Sequence, residues 1–419
     1  MGQLVSLSLF FLIRLLNMPF IPKIKKITRD ASVSHFLLMF GYKLFSLYFP
    51  LFLIAKNFSI LQVGYTNFLI YLPIALFAPF VGFLNHRINP ALLASIGILG
   101  YGIYSLAMIL LAPIEGLALL MGFPNHLFFY LFQVILGVSA ALFFVSSRAI
   151  LMGSKLENPD RAFAWFYSAP SYADAFAPAV GALIIWKFNF IGVFTLGLII
   201  EIFTAIFCFS QLKKQTGNLT ESTEIKESGQ NYLKVFESIK VKNVLPFILT
   251  SFLVLVLAGF NNTFFVLFLK NLGWSQNKIL FFSSILSLVF LPISFWVIKQ
   301  IAKFKSEINI SRGSQITGTF SVLLGGAVSI LNFYLIFFIM LGKYIGGLMT
   351  GAGRSGLLTT KLKEYPEESA AIDTIFSPLA TAIGALIGGL IILPLGYPLI
   401  FIFGGVLLFI IGGIAKLNQ

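Results

Sequence analysis

Long apolar runs separated by short polar turns set the rhythm of this chain. They cover about residues 33–55, 62–84, 91–113, 127–147, 162–186, 190–210, 246–269, 279–298, 313–331, 333–353, 370–393 and 398–415. The runs are continuous rather than alternating. Continuous apolar stretches of about 20 residues cross about 30 Å of hydrocarbon as α-helices, whereas barrel strands are shorter and alternate. A helix also bonds its own backbone polar groups, which lipid cannot do. The pattern predicts an all-α integral membrane protein with twelve transmembrane helices.

One long polar stretch, 211–245, separates the sixth run from the seventh. Thr216 to Gln230 is rich in Thr, Ser, Glu, Gly and Asn and reads as an unstructured linker. Tyr232, Val235, Phe236 and Ile239 then recur at helical spacing, which predicts a short amphipathic helix on the membrane surface. Residues 1–22 are apolar but carry Arg14, Asn17 and Pro19, so an interfacial segment is expected, with a signal-anchor as the alternative. Met1-Gly2 with Ser6 also fits the myristoylation pattern, which short sequences often match by chance. The expected division is an N-terminal segment 1–32, a bundle 33–210, a linker 211–245 and a bundle 246–419.

The two bundles read as one unit written twice. Arg148 to Leu156 is RAILMGSKL and Arg354 to Leu362 is RSGLLTTKL, 206 residues later. An acidic turn with proline follows each, Asn158-Pro159-Asp160 and Tyr365-Pro366-Glu367. Gly181 to Ile185 matches Gly388 to Ile392, and Leu51-Phe52-Leu53 with Ser59 matches Leu267-Phe268-Leu269 with Ser275. Six spans per copy make the copies parallel. Two pseudo-symmetric six-helix bundles then face each other across a central cavity, the plan of many secondary transporters.

Composition agrees: the chain is 58% hydrophobic and only 11% charged, with a mean hydropathy of +0.94. The net charge of +14 suggests nucleic acid until its placement is considered. With the N-terminus in the cytoplasm, 23 Lys and Arg fall on the cytoplasmic side, 4 fall outside, and Lys43 and Lys343 lie within spans. That bias is the positive-inside rule; it orients the chain and attracts anionic lipid rather than nucleic acid. Both termini are expected in the cytoplasm, the protein in the cell membrane. Cys208 is the only cysteine, and His35, His86 and His126 are scattered, so neither a metal site nor a cofactor nor a catalytic cluster is predicted.

These features together resemble the major facilitator superfamily. In the turn after span two, Gly82-Phe83-Leu84-Asn85-His86-Arg87 is similar to that family's signature, with Asn85 in place of its aspartate. Gln133 to Gly137 is similar to a span-four motif that usually opens with arginine, and Ala177 to Ala182 to a worn antiporter motif. The resemblance covers about residues 33–415 and leaves the subfamily unassigned, though efflux carriers of drugs or metabolites are the nearest type. It implies alternating access of the two bundles around a mid-membrane site. Proton-linked antiport is associated with the missing span-four arginine, so coupling does not carry over.

Five ionisable residues fall inside spans: Lys43, Asp174, Glu201, Lys343 and Asp373. A mid-membrane charge costs on the order of 3 kcal/mol even on lenient scales, so such groups pair or face water. By the resemblance, spans one and ten line the cavity. Lys43 and Ser46 on span one and Lys343 on span ten are then candidate substrate contacts, with an ion pair to Asp174 or Glu201 as the structural alternative for Lys43. Two lysines favour an anionic substrate, yet three acids leave the interior near balance. Asn261, Asn262 and Gln133 interrupt apolar runs and are candidate substrate or helix–helix contacts. Asp174 is the coupling candidate if protons drive transport, and a fixed salt bridge otherwise. Gly82, Asn85 and Arg87 belong to the gate by motif. Arg148 and Arg354, near Glu157, Asp160, Glu364 and Glu367, gate the cytoplasmic side or simply anchor it, and Asp373, about a turn inside its helix, caps or gates. Glu201, on the peripheral sixth span, is expected to be structural.

The reading is a monomeric secondary transporter of a small organic solute, with proton-coupled efflux as one form. An uncoupled or lipid-like-substrate carrier, and a scaffold or sensor that no longer transports, are the alternatives. Catalysis is not expected.

Overall fold

The computed structural model describes residues 24–46, 60–111, 125–216, 234–235, 237–239 and 244–417. The N-terminal segment before residue 24 and most of the linker lie outside the described residues. Among the described residues, ten α-helices carry the fold: α1 Lys26–Ser46, α2 Ile60–Asn85, α3 Pro90–Leu111, α4 Asn125–Met152, α5 Pro159–Thr216, α6 Leu245–Asn271, α7 Gln276–Ile301, α8 Ser306–Gly326, α9 Phe333–Lys361 and α10 Pro366–Leu417. The two longest each contain a break. Asn189 interrupts α5 at φ 57° and Gly396 interrupts α10 at φ 71°. Only glycine, and less readily asparagine, takes that left-handed backbone, so each turns one rod into two at the same place in its repeat.

Eight described helices are long and apolar enough to cross a bilayer. α1 and α8 are not among them, because both spend polar residues inward. In α8, Ser311 and Ser314 donate to the Gly412 and Leu408 carbonyls of α10. Within the N-terminal half α1 packs on α5, α2 on α4, and α3 on both α4 and α5; within the C-terminal half α10 packs on α6 and α8, and α9 on α8. The repeat is visible in the close approaches. Gly181 lies against the Leu44 backbone, and Gly388 lies against the Phe260 ring. A side chain at either glycine would collide with the partner helix. α2 meets α10 and α5 meets α7 across the halves.

The apolar core is asymmetric along the axis. One cluster contains only C-terminal-half residues, including Val254, Phe268, Ile339 and Phe401. The other runs through the N-terminal half and continues into Ile298, Ile301, Ile310 and Leu362. Those four sit at the ends of α7 and α9 and the start of α8, beside the Lys- and Arg-rich turns. The halves therefore share one core at the basic end. Val235 and Ile239 of the linker are buried in that same cluster.

Candidate functional site

A cavity of about 560 Å³ lies between the halves, bordered by residues from all ten described helices. Its walls include Lys43, Asn261, Asn262 and Lys343. Lys43 Nζ lies 2.9 Å from Asp174 Oδ1, so α1 and α5 meet through an ion pair. Of the two acids weighed for Lys43, Asp174 is the partner. Glu201 is fully buried behind the wall, against Gly41 and Gly102 and near Ser105. Lys343 Nζ donates to Asn261 Oδ1 at 3.1 Å and stands 4.9 Å from the centre of the Phe401 ring. Gln133 lies outside the cavity lining: it is buried and donates to the Tyr104 hydroxyl at 2.9 Å, joining α4 to α3. Ser46 is likewise absent from the lining.

The basic end of the cavity is floored by a charge network. Arg354 Nε donates to Asp373 Oδ1 at 2.6 Å, and Arg148 Nε stands 3.5 Å from Asp373 Oδ2. Tyr167 and Ser355 hydroxyls donate to the same Oδ2 at 2.8 and 2.6 Å. The network ties α4 and α5 to α9 and α10. The arginines therefore use neither Glu157, Asp160, Glu364 nor Glu367, the acids expected for them. Those acids sit in or next to turns, whereas the arginines point along the helix interface. Asp373 is also deeper than expected, seven residues after Pro366 and so about two turns into α10. Its negative charge is held by arginines and hydroxyls rather than by the helix end.

Two further contacts close the basic end, each from the start of a helix that opens with proline and an acid. Asp160, at the start of α5, accepts from Ser306 Oγ at 2.6 Å and Asn309 Nδ2 at 2.7 Å, at the start of α8. Its carboxylate occupies the place a Cβ would take on Gly356 of α9. Glu368, at the start of α10, meets His86 Nε2 at 2.8 Å in the turn between α2 and α3. That contact pushes the His86 imidazole pKa above its ordinary value, and burial raises that of the neighbouring Glu367 carboxyl. Of the signature residues, Gly82 is buried, Asn85 Oδ1 accepts from Ser146 Oγ at 2.9 Å, and Arg87 is exposed with its guanidinium over the Phe83 ring. Sequence reasoning missed Tyr167, Ser355 and the His86–Glu368 contact. The signal for the last was the repeated Pro-acid pair that opens α5 and α10.

The model of the Major Facilitator Superfamily matches residues 31–374. No match was found among curated protein sequences. The structure resembles the human organic anion transporter MFSD10 (TETRAN), with a TM-score of 0.74 at 13% identity, covering 94% of this chain and 100% of that one. It also resembles a bacterial homologue of the iron transporter ferroportin in its outward-facing state, with a TM-score of 0.70 at 14% identity over 93% and 99% of the two chains. The proton:xylose symporter XylE gives 0.67 at 14% identity over 94% of each. At these identities the neighbours establish a shared fold. With four-fifths of its length inside the family match, the chain belongs to the major facilitator superfamily.

Proposed function

We propose that this protein is a secondary transporter that carries a small organic solute across the cell membrane by alternating access. The observation that carries the reading is the cavity between two copies of one bundle, with a shared apolar core and polar contacts joining the halves at its basic end. Its volume of about 560 Å³ suits a metabolite-sized ligand. Among the described residues, the polar contacts that join the halves, from Tyr172–Ser294 to Asp160–Ser306, lie from mid-depth to the basic end. By the positive-inside rule that end faces the cytoplasm, so this state admits solute from outside. The outward-facing ferroportin homologue supports the same reading.

The neighbours' solutes differ in chemistry, so the fold by itself selects none. Coupling is assigned to the Lys43–Asp174 pair. A proton arriving on Asp174 removes the carboxylate that Lys43 holds, loosening α1 from α5 beside the solute. Proteoliposomes loaded with protein and exposed to a metabolite mixture test this by mass spectrometry of the retained solutes. The expected result is retention of at least one solute above empty vesicles, lost in Lys43→Ala. An imposed pH gradient should drive accumulation in wild type, while Asp174→Asn should exchange solute without responding to the gradient. Retention no different from empty vesicles contradicts the transport reading.

A further inference from the structure

Four cations line the cavity, Lys43, Arg148, Lys343 and Arg354. Two carboxylates answer them. Asp174 is taken by Lys43 at 2.9 Å, and Asp373 is shared by Arg354 at 2.6 Å and Arg148 at 3.5 Å. Glu201, the remaining acid at membrane depth, does not line the cavity. The site thus carries more positive than negative charge, unlike the near balance that the sequence suggests. Lys343 is the cation with the weakest answer. Its side chain is buried, and among the described residues its polar contact is a neutral amide oxygen, Asn261 Oδ1.

We propose, building on the transport reading above, that the solute is an organic anion with an apolar or aromatic body, and that Lys343 is its counter-ion. A buried ammonium is favoured in its charged form by an anionic partner, and the described protein supplies none. An ammonium that already holds the Asn261 carbonyl oxygen leaves that amide's N–H donors for the same anionic group. The rest of the wall suits the body of such a molecule: Tyr42, Tyr71, Tyr101, Tyr344 and Phe290 present rings, and Met340 a thioether. Gly137, the repeat equivalent of Lys343 on α4, packs against the Ile70 backbone and has no room for a side chain. The ammonium is therefore a property of one half only, which places the anion off the pseudo-symmetry axis, toward α6 and α9.

Purified protein in detergent is heated with matched probes of one shape and three charges: benzoate and phenylacetate, benzyl alcohol, and benzylamine. The expected result is a melting temperature raised by the two carboxylates and by neither counterpart. The carboxylate concentration needed for half the shift should rise at least tenfold in Lys343→Met and stay within threefold in Lys343→Arg. Stabilisation by benzylamine or benzyl alcohol equal to that by benzoate overturns the proposal, as does an undiminished benzoate shift in Lys343→Met or no carboxylate shift at all. A preserved flux of neutral or cationic solutes in the vesicle assay would then show that the anion assignment had failed while transport stood. No flux of any solute would show instead that the transport reading itself had failed.

Discussion

At the scale of single residues, the site is a matter of which charges are answered. Lys43, Asp174, Lys343 and Asp373 were visible as candidates because ionisable residues inside apolar runs are conspicuous, and Arg354 because its segment is repeated. Their pairings were less visible. Lys43 and Asp174 lie in different helices, and the choice between Asp174 and Glu201 depends on how α1 rolls against α5, which no periodicity reveals. The same holds for Arg354, whose partner comes from α10 and not from the acidic turn that follows it in sequence. Gln133 takes the second of its two readings, a helix–helix contact: it donates to Tyr104 on α3 and does not line the cavity. Arg354→Gln strips Asp373 of its shorter ion pair inside a buried network. Loss of one partner from a buried pair costs about 3–5 kcal/mol. The melting temperature should fall by several degrees, and Arg354→Gln combined with Asp373→Asn should recover part of the loss. An unchanged melting temperature in the single variant would show that the network contributes nothing to this state.

Helix starts act as latches at the next scale up. Pro159-Asp160 opens α5 and docks on the start of α8; Pro366-Glu367-Glu368 opens α10 and docks on the turn between α2 and α3. Proline suits the first helical turn because its missing N–H is not needed there. The repeated Pro-acid pair was legible in the sequence, but its target was not, since the docking partner belongs to the other half. One latch has a charged partner of its own and the other does not. His86 has its pKa raised by Glu368, so its charged contact is complete below the ordinary value of about 6.5 and is lost as pH rises through the raised value. Hydrogen exchange in the first turn of α10, corrected for intrinsic rate, should quicken as pH rises across that range. It should be flat in His86→Ala. Equal pH dependence in both proteins would remove His86 from the latch. On the other side, Gly356→Ala puts a methyl where the Asp160 carboxylate lies. Disulfide formation between Lys155→Cys and Lys303→Cys should slow as the basic ends separate, and an unaltered rate would mean that the carboxylate moves aside freely.

Across the whole molecule, the duplicated sequence foretold two parallel bundles, and the breaks at Asn189 and Gly396 mark the same place in each copy. The fold class was legible because hydrophobic runs and a repeat are one-dimensional signals. Which end is closed is not such a signal. It emerges from a core that spans both halves near Ile298, Ile310 and Leu362 but stays within one half elsewhere. The same geometry makes the site electropositive, because closing the basic end brings Arg148 and Arg354 to the floor of the cavity. Alternating access requires that closure to be reversible. Double electron–electron resonance in lipid nanodiscs tests it most directly, with spin labels at Lys155 and Lys303 across the basic end and at Lys187 and Leu395 across the other. As pH is stepped or benzoate added, the account predicts two populations at each pair, with the basic-end distance lengthening as the opposite distance shortens. Single, unchanging distances at both pairs would contradict it.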